Sequence, residues 1–464
     1  MSDKKDSLKG YRGLARERMT KWKVRVWSDV RVVNTAGSVF EGVILPRSEN
    51  FDDLHFVIKQ KTGYNVGIHV DRVKTIEELG YKEAHYKIPE KAFPYTDNLP
   101  SVTLLGTGGT IASRLDYRTG AVIPAFTPGE LYGAVPELAD IANLTTKKIF
   151  GVFSENMAWE QYKALAEAIG EEIENGADGI VIGHGTDTMG HTAAVLSFMV
   201  QDSPIPIVLV GSQRSSDRPS SDAALNLIHA VKTAGTSPVA EVQICMFGPT
   251  SDQYGLIHRG TKCRKMHSSY RSAFRTIGDT PLCMVSKDEF ELLTDDFVKR
   301  DPARKVKIDT AYDDHVTILY YYPGMKPDLI YSLVETGYKG IVIAGTGLGH
   351  VNKPLYPALK FAVEQGVHVV MTVQTLWGYA QMYVYDTGRD LLDAGVVPLD
   401  NMLPETALMK LGWVIGHTRD HKEVLSMMRK TINHEITLRE PHNGYLILQG
   451  GLPETEAFVK GHWK

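Results

Sequence analysis

The chain has 464 residues, of which 43% are hydrophobic and 23% charged, a composition typical of folded proteins and long enough for roughly two to four domains. A formal net charge of −4 excludes a chain-wide cationic surface for a polyanion, so any nucleic-acid contact is expected to be local or made through a partner. Three cysteines without a C-x-x-C motif predict neither a disulfide framework nor a zinc site. With a charged N-terminus and no run of about 18 apolar residues, the sequence predicts a cytoplasmic protein without a membrane segment.

Residues 1–85 are predicted to form a small all-β barrel module with a basic leading segment. Short runs rich in Val, Ile and aromatic residues alternate with turn residues at 23–27, 30–34, 38–45, 54–60 and 64–70. The first 25 residues carry nine Lys or Arg against three acids, which leaves two interpretations, a solvated tail or a contact with RNA or a partner. The proline-containing stretch 86–100 is predicted to be a linker.

After Pro100 the pattern changes to apolar strands that alternate with helices, which predicts an α/β core with mostly parallel sheets. Strands are expected near 101–109, 178–185, 205–212 and 240–248, and helices near 159–175, 190–201 and 220–235. The same pattern returns on a smaller scale with strands near 315–324, 340–349 and 366–375. We therefore expect two α/β domains, 101–314 and 315–464, the second of which includes a C-terminal tail.

Polar residues that directly follow apolar strands are the first candidates for a site, because ligands bind beyond the carboxyl ends of parallel strands. In GTGGTIAS (106–113), Thr110 follows two glycines that allow backbone N–H groups to approach a ligand closely. Its hydroxyl is therefore a candidate nucleophile. The competing interpretation is a strand-to-loop turn in which Thr110 only caps a helix.

In GHGTDTMGHT (183–192), Thr186 places a hydroxyl beside the carboxylate of Asp187. An alcohol is a weak nucleophile that needs an adjacent base, and an unprotonated lysine can serve as that base. Asp187 would then either orient the lysine or pair with the ammonium group of an amino-acid substrate. The alternative is a turn that caps the helix beginning near Gly190.

The segment GLIHRGTKCRK (255–265) is not a phosphate loop, since Thr261 precedes Lys262 and Walker A has the opposite order. There is also no H-E-x-x-H motif. We therefore predict no cofactor and no metal in this chain.

Together, TLLGTGGTIAS (103–113) and GHGTDTM (183–189) resemble the two signature segments of the L-asparaginase family. The resemblance extends from about residue 101 to about residue 430. It implies a two-domain asparaginase-like α/β fold and hydrolysis of an amide through an acyl-enzyme, with loss of ammonia. It also implies the catalytic residues Thr110, Thr186, Asp187, Lys262 and Tyr117, the last on the mobile loop after the nucleophile.

The resemblance further implies that Ser154 binds the substrate. The family commonly has Ser-Gln at this place, whereas this sequence has Ser154-Glu155, and Glu155 is predicted to contact the substrate ammonium instead. Near GTGLGHVN (345–352) the asparagine that the family donates across its dimer interface is not obviously matched.

An asparaginase-like core behind a β module of about 80 residues is similar to the D subunits of archaeal glutamyl-tRNA(Gln) amidotransferases. This resemblance implies that the chain supplies ammonia to a partner, the E subunit, which activates Glu-tRNA(Gln) with ATP and Mg²⁺. It also implies a homodimer of this chain within a heterotetramer, with glutamine or asparagine as the amide donor and tRNA held mainly by the partner. The alternatives are a free-standing cytoplasmic asparaginase or glutaminase, which has no need of the β module, and an inactive scaffold.

Overall fold

The computed structural model describes residues 8, 10–46, 52–62, 64–81, 93–108, 113–115, 122–124, 134–214 and 220–441. The chain divides into two compact units, Met1–Pro89 with Ser113–Ala125, and Glu90–Ala112 with Phe126–Lys464. The short apolar run at 444–450 in the C-terminal tail lies outside the described residues. In the described part of the chain, no helix combines the length and the apolar character that crossing a bilayer requires.

The first unit contains a helix and an antiparallel sheet. They are α1 (Gly13–Lys21), β1 (Ser28–Asn34), β2 (Val39–Ile44), β3 (His55–Gln60), β4 (Asn65–His69) and β5 (Val73–Tyr81). The strands pair in the order β4-β3-β2-β1-β5, and one face of the sheet is buried with α1. The small β module predicted for this part of the chain is confirmed.

Two features of this unit differ from the prediction. Residues 23–27 form turns rather than a strand, because Lys23 and Trp27 have left-handed backbone angles, with φ of 60° and 75°. Residues 13–21 form a packed helix rather than a solvated tail, since Ala15 and Met19, four residues apart, are both buried.

The second unit begins with a mixed sheet and three helices. Two short strands after β6 (Ser101–Gly106) belong to the first unit, β7 (Ser113–Leu115) and β8 (Val122–Pro124). Besides β6, the strands of the second unit's first part are β9 (Asn143–Lys148), β10 (Gly179–Gly183), β11 (Val200–Gln201), β12 (Ile207–Val210), β13 (Val242–Phe247), β14 (Gly255–Arg259), β15 (Cys263–Lys265), β16 (Phe274–Thr276), β17 (Cys283–Val285), β18 (Phe290–Leu292) and β19 (Lys307–Ile308). The helices are α2 (Trp159–Glu174), α3 (Met189–Met199) and α4 (Ala223–Thr236).

Eight of these strands form one sheet in the order β18-β17-β14-β13-β12-β10-β6-β9. The pairs from β9 to β13 are parallel, and those from β13 to β18 are antiparallel. β10, β12 and β13 are buried along their whole length, as expected for strands covered by helices on both faces. Three pairs stand apart from this sheet, β7 with β8, β11 with β19 and β15 with β16.

The rest of the unit is a smaller parallel sheet with its own helices. It contains β20 (Val316–Tyr320), β21 (Gly340–Gly345), β22 (His368–Val373), β23 (Val397–Pro398), α5 (Asp328–Glu335), α6 (Tyr356–Glu364), α7 (Asp386–Asp393), α8 (Pro404–His417) and α9 (His421–Arg429). The strands lie in the order β20-β21-β22-β23. Phe198 of α3 and Trp413 of α8 stack with ring centroids 6.0 Å apart. Both belong to one hydrophobic core that contains residues of the two sheets and of these helices. The α/β core with mostly parallel sheets is confirmed.

Parallel pairing places the ends of three strands side by side. Gly106 at the end of β6 is in register with Gly183 at the end of β10, which is in register with Val210 at the end of β12. The polar segments after these strands therefore leave the sheet at one edge, where a site is expected in an open α/β sheet.

Candidate active site

The turn after β10 carries the hydroxyl and the carboxylate of Thr186 and Asp187. Glycines allow neighbouring segments to approach this turn closely. A Cβ on Gly185 would lie 2.8 Å from Cβ of Ser154, and a Cβ on Gly211 would lie 2.8 Å from the methyl carbon of Thr186. The glycines therefore permit the loops after β9, β10 and β12 to meet around Thr186.

Lys265 is the lysine that completes this group. Its Nζ donates to Oγ1 of Thr186 at 2.9 Å and to Oδ1 of Asp187 at 2.7 Å. It lies at the end of β15. This strand runs close to the start of α3, where Gly190 has no side chain and a Cβ would lie 3.0 Å from the carbonyl oxygen of Cys263. The arrangement joins a hydroxyl, an amine and a carboxylate in one hydrogen-bonded set, which can transfer a proton to and from a reacting group.

The prediction that Lys262 belongs to this group is wrong. The Lys262 side chain is 0% exposed, and its Nζ donates to the carbonyl oxygen of Asn401 at 3.0 Å. The preceding residue is tied to the same region, because the Thr406 hydroxyl donates to the carbonyl oxygen of Thr261 at 2.8 Å. Lys262 and Thr261 therefore connect the segment that carries Lys265 to the second α/β domain, and Lys262 does not reach Thr186.

Sequence reasoning missed Lys265 although it lies in the same segment, three residues further along. The two lysines differ in their position relative to β15: Lys262 precedes this strand and is enclosed, whereas Lys265 ends it and is partly open. The local pattern does not distinguish the two lysines, because β15 pairs with β16 apart from the parallel strands whose ends carry the site.

Burial lowers the pKa of Lys262 to about 8 from 10.5, an effect that nearby Asp279, Glu440 and Glu435 partly oppose. Between pH 8 and 10.5 the unfolded chain therefore binds more protons at this residue than the folded chain does. We expect this residue to raise the free energy of unfolding by about 3 kcal/mol as pH rises through that window. The measurement is denaturant unfolding at both ends of the window for the wild type and for Lys262→Met, which should lack this component. Equal pH slopes for the two proteins would show that burial does not lower the pKa of Lys262.

Ser154 and Glu155 lie in a short 3₁₀ helix, Ser154–Asn156, in the loop after β9. Ser154 is buried and its carbonyl oxygen accepts from the Thr188 hydroxyl at 2.6 Å, which fixes it against the Thr186 turn. Glu155 is exposed. The structure thus brings Ser154, Thr186, Asp187 and Lys265 together and places Glu155 next to Ser154 in the chain.

Thr110 and Tyr117 lie outside the described residues, so their roles stay predictions. The described chain leading to Thr110 ends at Gly108, which has φ of 117° and whose added Cβ would lie 2.3 Å from the carbonyl oxygen of Val152. Gly106 ends β6 beside Gly183, and Thr110 comes four residues later, within about 14 Å of Gly106 even if fully extended. The chain therefore leaves β6 towards the edge that carries Thr186.

A cavity of about 280 Å³ opens beside Lys265. It is lined by Asp187, Gly190, His191, Arg264, Lys265, Ile318, Tyr320 and Glu405. Arg264 donates to Glu405 at 3.0 Å and to the Tyr320 hydroxyl at 3.1 Å, so one wall is a charge pair contributed by both α/β domains. The space next to the lysine is polar and of a size suited to a small molecule.

Asp222 organises a third polar loop, which leaves the sheet after β12. Its buried carboxylate accepts from the backbone N–H groups of Gln213 and Arg214 and from the side chain of Asn226. All of these contacts are internal to the loop and α4. Asp222 therefore shapes the edge of the site rather than offering a group to a ligand.

Among the described residues, one group has the spacing of metal ligands. Ligand atoms of Asp313, Asp314 and His315 lie within 4.8 Å of one another. Asp313 already pairs with Arg419 and His315, and the group lies apart from Thr186. It contributes nothing to the arrangement around Lys265.

Comparisons with known proteins show similarity to asparaginases along the chain. Residues 101–297 match the family described as Asparaginase, N-terminal, residues 315–428 match the Glutaminase/Asparaginase C-terminal domain, and residues 25–79 match the GatD N-terminal domain. The chain is similar to the L-asparaginase of Thermococcus kodakarensis, at 32% identity and a TM-score of 0.64 over 73% of this chain and 99% of that one. It is also similar to L-asparaginase I of Vibrio cholerae, at 28% identity and a TM-score of 0.65 over 73% of this chain and 100% of that one.

Full-length relatives share the N-terminal module as well. The glutamyl-tRNA(Gln) amidotransferase D subunit of Thermococcus kodakarensis is 52% identical over 88% of this chain and 93% of its own length. The protein of the same name from Methanopyrus kandleri is 45% identical over 92% of this chain and 95% of its own length. The similarity therefore extends beyond the asparaginase-like core.

Proposed function

Because this chain belongs to the family of glutamyl-tRNA(Gln) amidotransferase D subunits, we propose that it releases ammonia from glutamine, or from asparagine, for the conversion of Glu-tRNA(Gln) to Gln-tRNA(Gln). The observation that carries the chemical half of this proposal is Lys265, which bonds both Thr186 and Asp187 at the sheet edge. The β module that accompanies the asparaginase-like core favours the amidotransferase over a free-standing amidase.

The reaction begins with attack of the Thr110 hydroxyl on the amide carbon, assisted by Tyr117. The hydroxyl proton passes by way of Thr186 and Lys265 to the leaving nitrogen, so that the C–N bond breaks and ammonia departs. A water molecule, deprotonated by the same group, then attacks the acyl ester, releases the free acid and restores Thr110.

The amino-acid end of the substrate is recognised by opposite charge and by hydrogen bonding. The Asp187 side chain is 68% exposed, and one of its oxygens accepts from Lys265. The second oxygen is available to the ammonium group of the substrate, and Glu155 adds a further carboxylate nearby. Ser154, buried against the Thr186 turn, orients the bound substrate.

The partner in this proposal is the E subunit, which supplies the ATP and Mg²⁺ chemistry and holds most of the tRNA. Two copies of this chain form a homodimer within a heterotetramer in the cytoplasm. The chain's net charge of −4 supports a division of labour in which the partner provides the main tRNA surface.

The test is an ammonia-release assay on this chain alone, with the partner, and with the partner plus Glu-tRNA(Gln) and ATP. We expect slow release from the chain alone, stimulation by the full mixture, and formation of Gln-tRNA(Gln). Release that is fast alone and unchanged by partner and tRNA would instead identify a free-standing amidase. Absence of release under every condition would contradict the amidase chemistry itself.

A further inference from the structure

A fully buried imidazole stands immediately before the turn that carries Thr186. His184 is 0% exposed, and its Nδ1 lies 2.7 Å from the carbonyl oxygen of Gly185. A carbonyl oxygen accepts only, so Nδ1 carries the proton and donates. His184 thus holds the carbonyl group of the very next residue in one orientation.

The other ring nitrogen is fixed by a second side chain. Nε2 of His184 lies 2.9 Å from Oγ1 of the buried Thr192 on α3, and since Nδ1 holds the ring proton, the hydroxyl donates to Nε2. One directed chain of hydrogen bonds therefore runs from Thr192 through His184 to the carbonyl of Gly185.

Protonation of the His184 ring does not interrupt these hydrogen bonds near neutral pH. Burial lowers the pKa of His184 to about 4, so the imidazole stays neutral. Buried polar groups that satisfy one another in this way hold a single arrangement, whereas breaking one link leaves an unsatisfied group inside the protein.

The hydrogen bonds end at the carbonyl group of Gly185, a residue whose backbone needs to be held in one conformation. Gly185 lacks a Cβ because the Ser154 side chain occupies that space, and a glycine backbone is free to adopt many conformations. The peptide bond between Gly185 and Thr186 is planar and trans, so fixing the carbonyl of Gly185 also fixes the N–H direction and the Cα position of Thr186.

We propose that His184 is a positioning residue, which Thr192 holds in one tautomer so that it fixes the Gly185–Thr186 peptide and keeps Thr186 within reach of Lys265. The inference rests on the proposed amidase activity. The mechanism itself assigns no proton transfer to His184 or Thr192; they act on the reaction through the position of Thr186.

The test compares variants that break single links with variants that restore them. Thr192→Val removes the hydroxyl and keeps the shape, and Thr192→Ser returns the hydroxyl. His184→Leu removes both ring nitrogens, whereas His184→Asn places an amide N–H where Nδ1–H was. We expect Thr192→Val and His184→Leu to lower kcat about tenfold or more with KM changed less than about twofold, since Ser154 and Asp187 remain. Thr192→Ser and His184→Asn should recover a large part of kcat.

The matched control is Thr233→Val. Thr233 is also a fully buried helical threonine, but its hydroxyl donates to the carbonyl oxygen of His229 within α4, away from Thr186. All variants are measured for thermal unfolding and for ammonia release under the conditions that activate the wild type. A loss of kcat in Thr192→Val alone supports the proposal. Equal kcat in Thr192→Val and Thr233→Val at matched stability, or failure of both restoring variants, would overturn it. An inactive wild type would instead count against the proposed function.

Discussion

We expect Lys265→Met to lower ammonia release by about 10³-fold, within the range for loss of a general base, and Lys262→Met to keep most of the activity. Methionine matches much of the length of lysine but accepts no proton and cannot hold the Thr186 hydroxyl and the Asp187 carboxylate together. Lys265→Arg should fail as well, since a guanidinium group does not release its proton near neutral pH. Steady-state kcat measured on the partner-stimulated enzyme gives the comparison.

Lys262→Met is the control for this experiment because it makes the same chemical change three residues away. Its ammonium contacts the Asn401 carbonyl, so its loss changes stability rather than proton transfer. The double variant Lys265→Met with Thr186→Val should be no worse than the more damaging of the two single variants, because residues that act as a unit are non-additive. A reversed order of effects, with Lys262→Met inactive and Lys265→Met active, would assign the role of general base to Lys262.

Thr110→Val should reduce ammonia release by about 10³-fold or more, the scale expected when a covalent nucleophile is removed. Valine keeps the branched shape of threonine and lacks only the attacking oxygen, so the fold should be retained. Single-turnover measurements with glutamine should show that no acyl-enzyme accumulates in the variant.

The control for Thr110→Val is Thr103→Val on the preceding strand, β6. The Thr103 hydroxyl lies 3.2 Å from Oε2 of Glu172 on α2, so it points away from the sheet edge. Thr103→Val should lose little activity. Near-normal release by Thr110→Val would remove Thr110 from the mechanism and direct attention to another hydroxyl at the same edge.

The parts of the site that come directly after parallel strands could be predicted from the sequence. Thr186 and Asp187 come directly after an apolar strand, and parallel pairing brings such positions to one edge whatever the details of the intervening helices. Local pattern was sufficient for these residues because the geometry of the sheet determines their neighbourhood. Ser154 follows the polar strand β9 and is predicted from the family resemblance alone.

The choice between two lysines could not be predicted in the same way. Lys262 and Lys265 share a segment and a chemistry, and only the packing of the second α/β domain against residues 261 and 262 decides which ammonium is enclosed. The same limit applies to residues 23–27, whose alternating pattern suits a strand but whose backbone turns at Lys23 and Trp27. Both errors arise where tertiary contacts override a local pattern.

The attachment of Thr261 and Lys262 to the second domain also bears on how the enzyme is made. The segment that presents Lys265 is held by Asn401 and Thr406, which the ribosome adds more than a hundred residues after Lys265 itself. A nascent chain that already contains Thr110, Thr186 and Lys265 is therefore still without a fixed general base. We therefore expect amide hydrolysis to begin only when synthesis has passed α8, so that unfinished chains do not consume the amide donor.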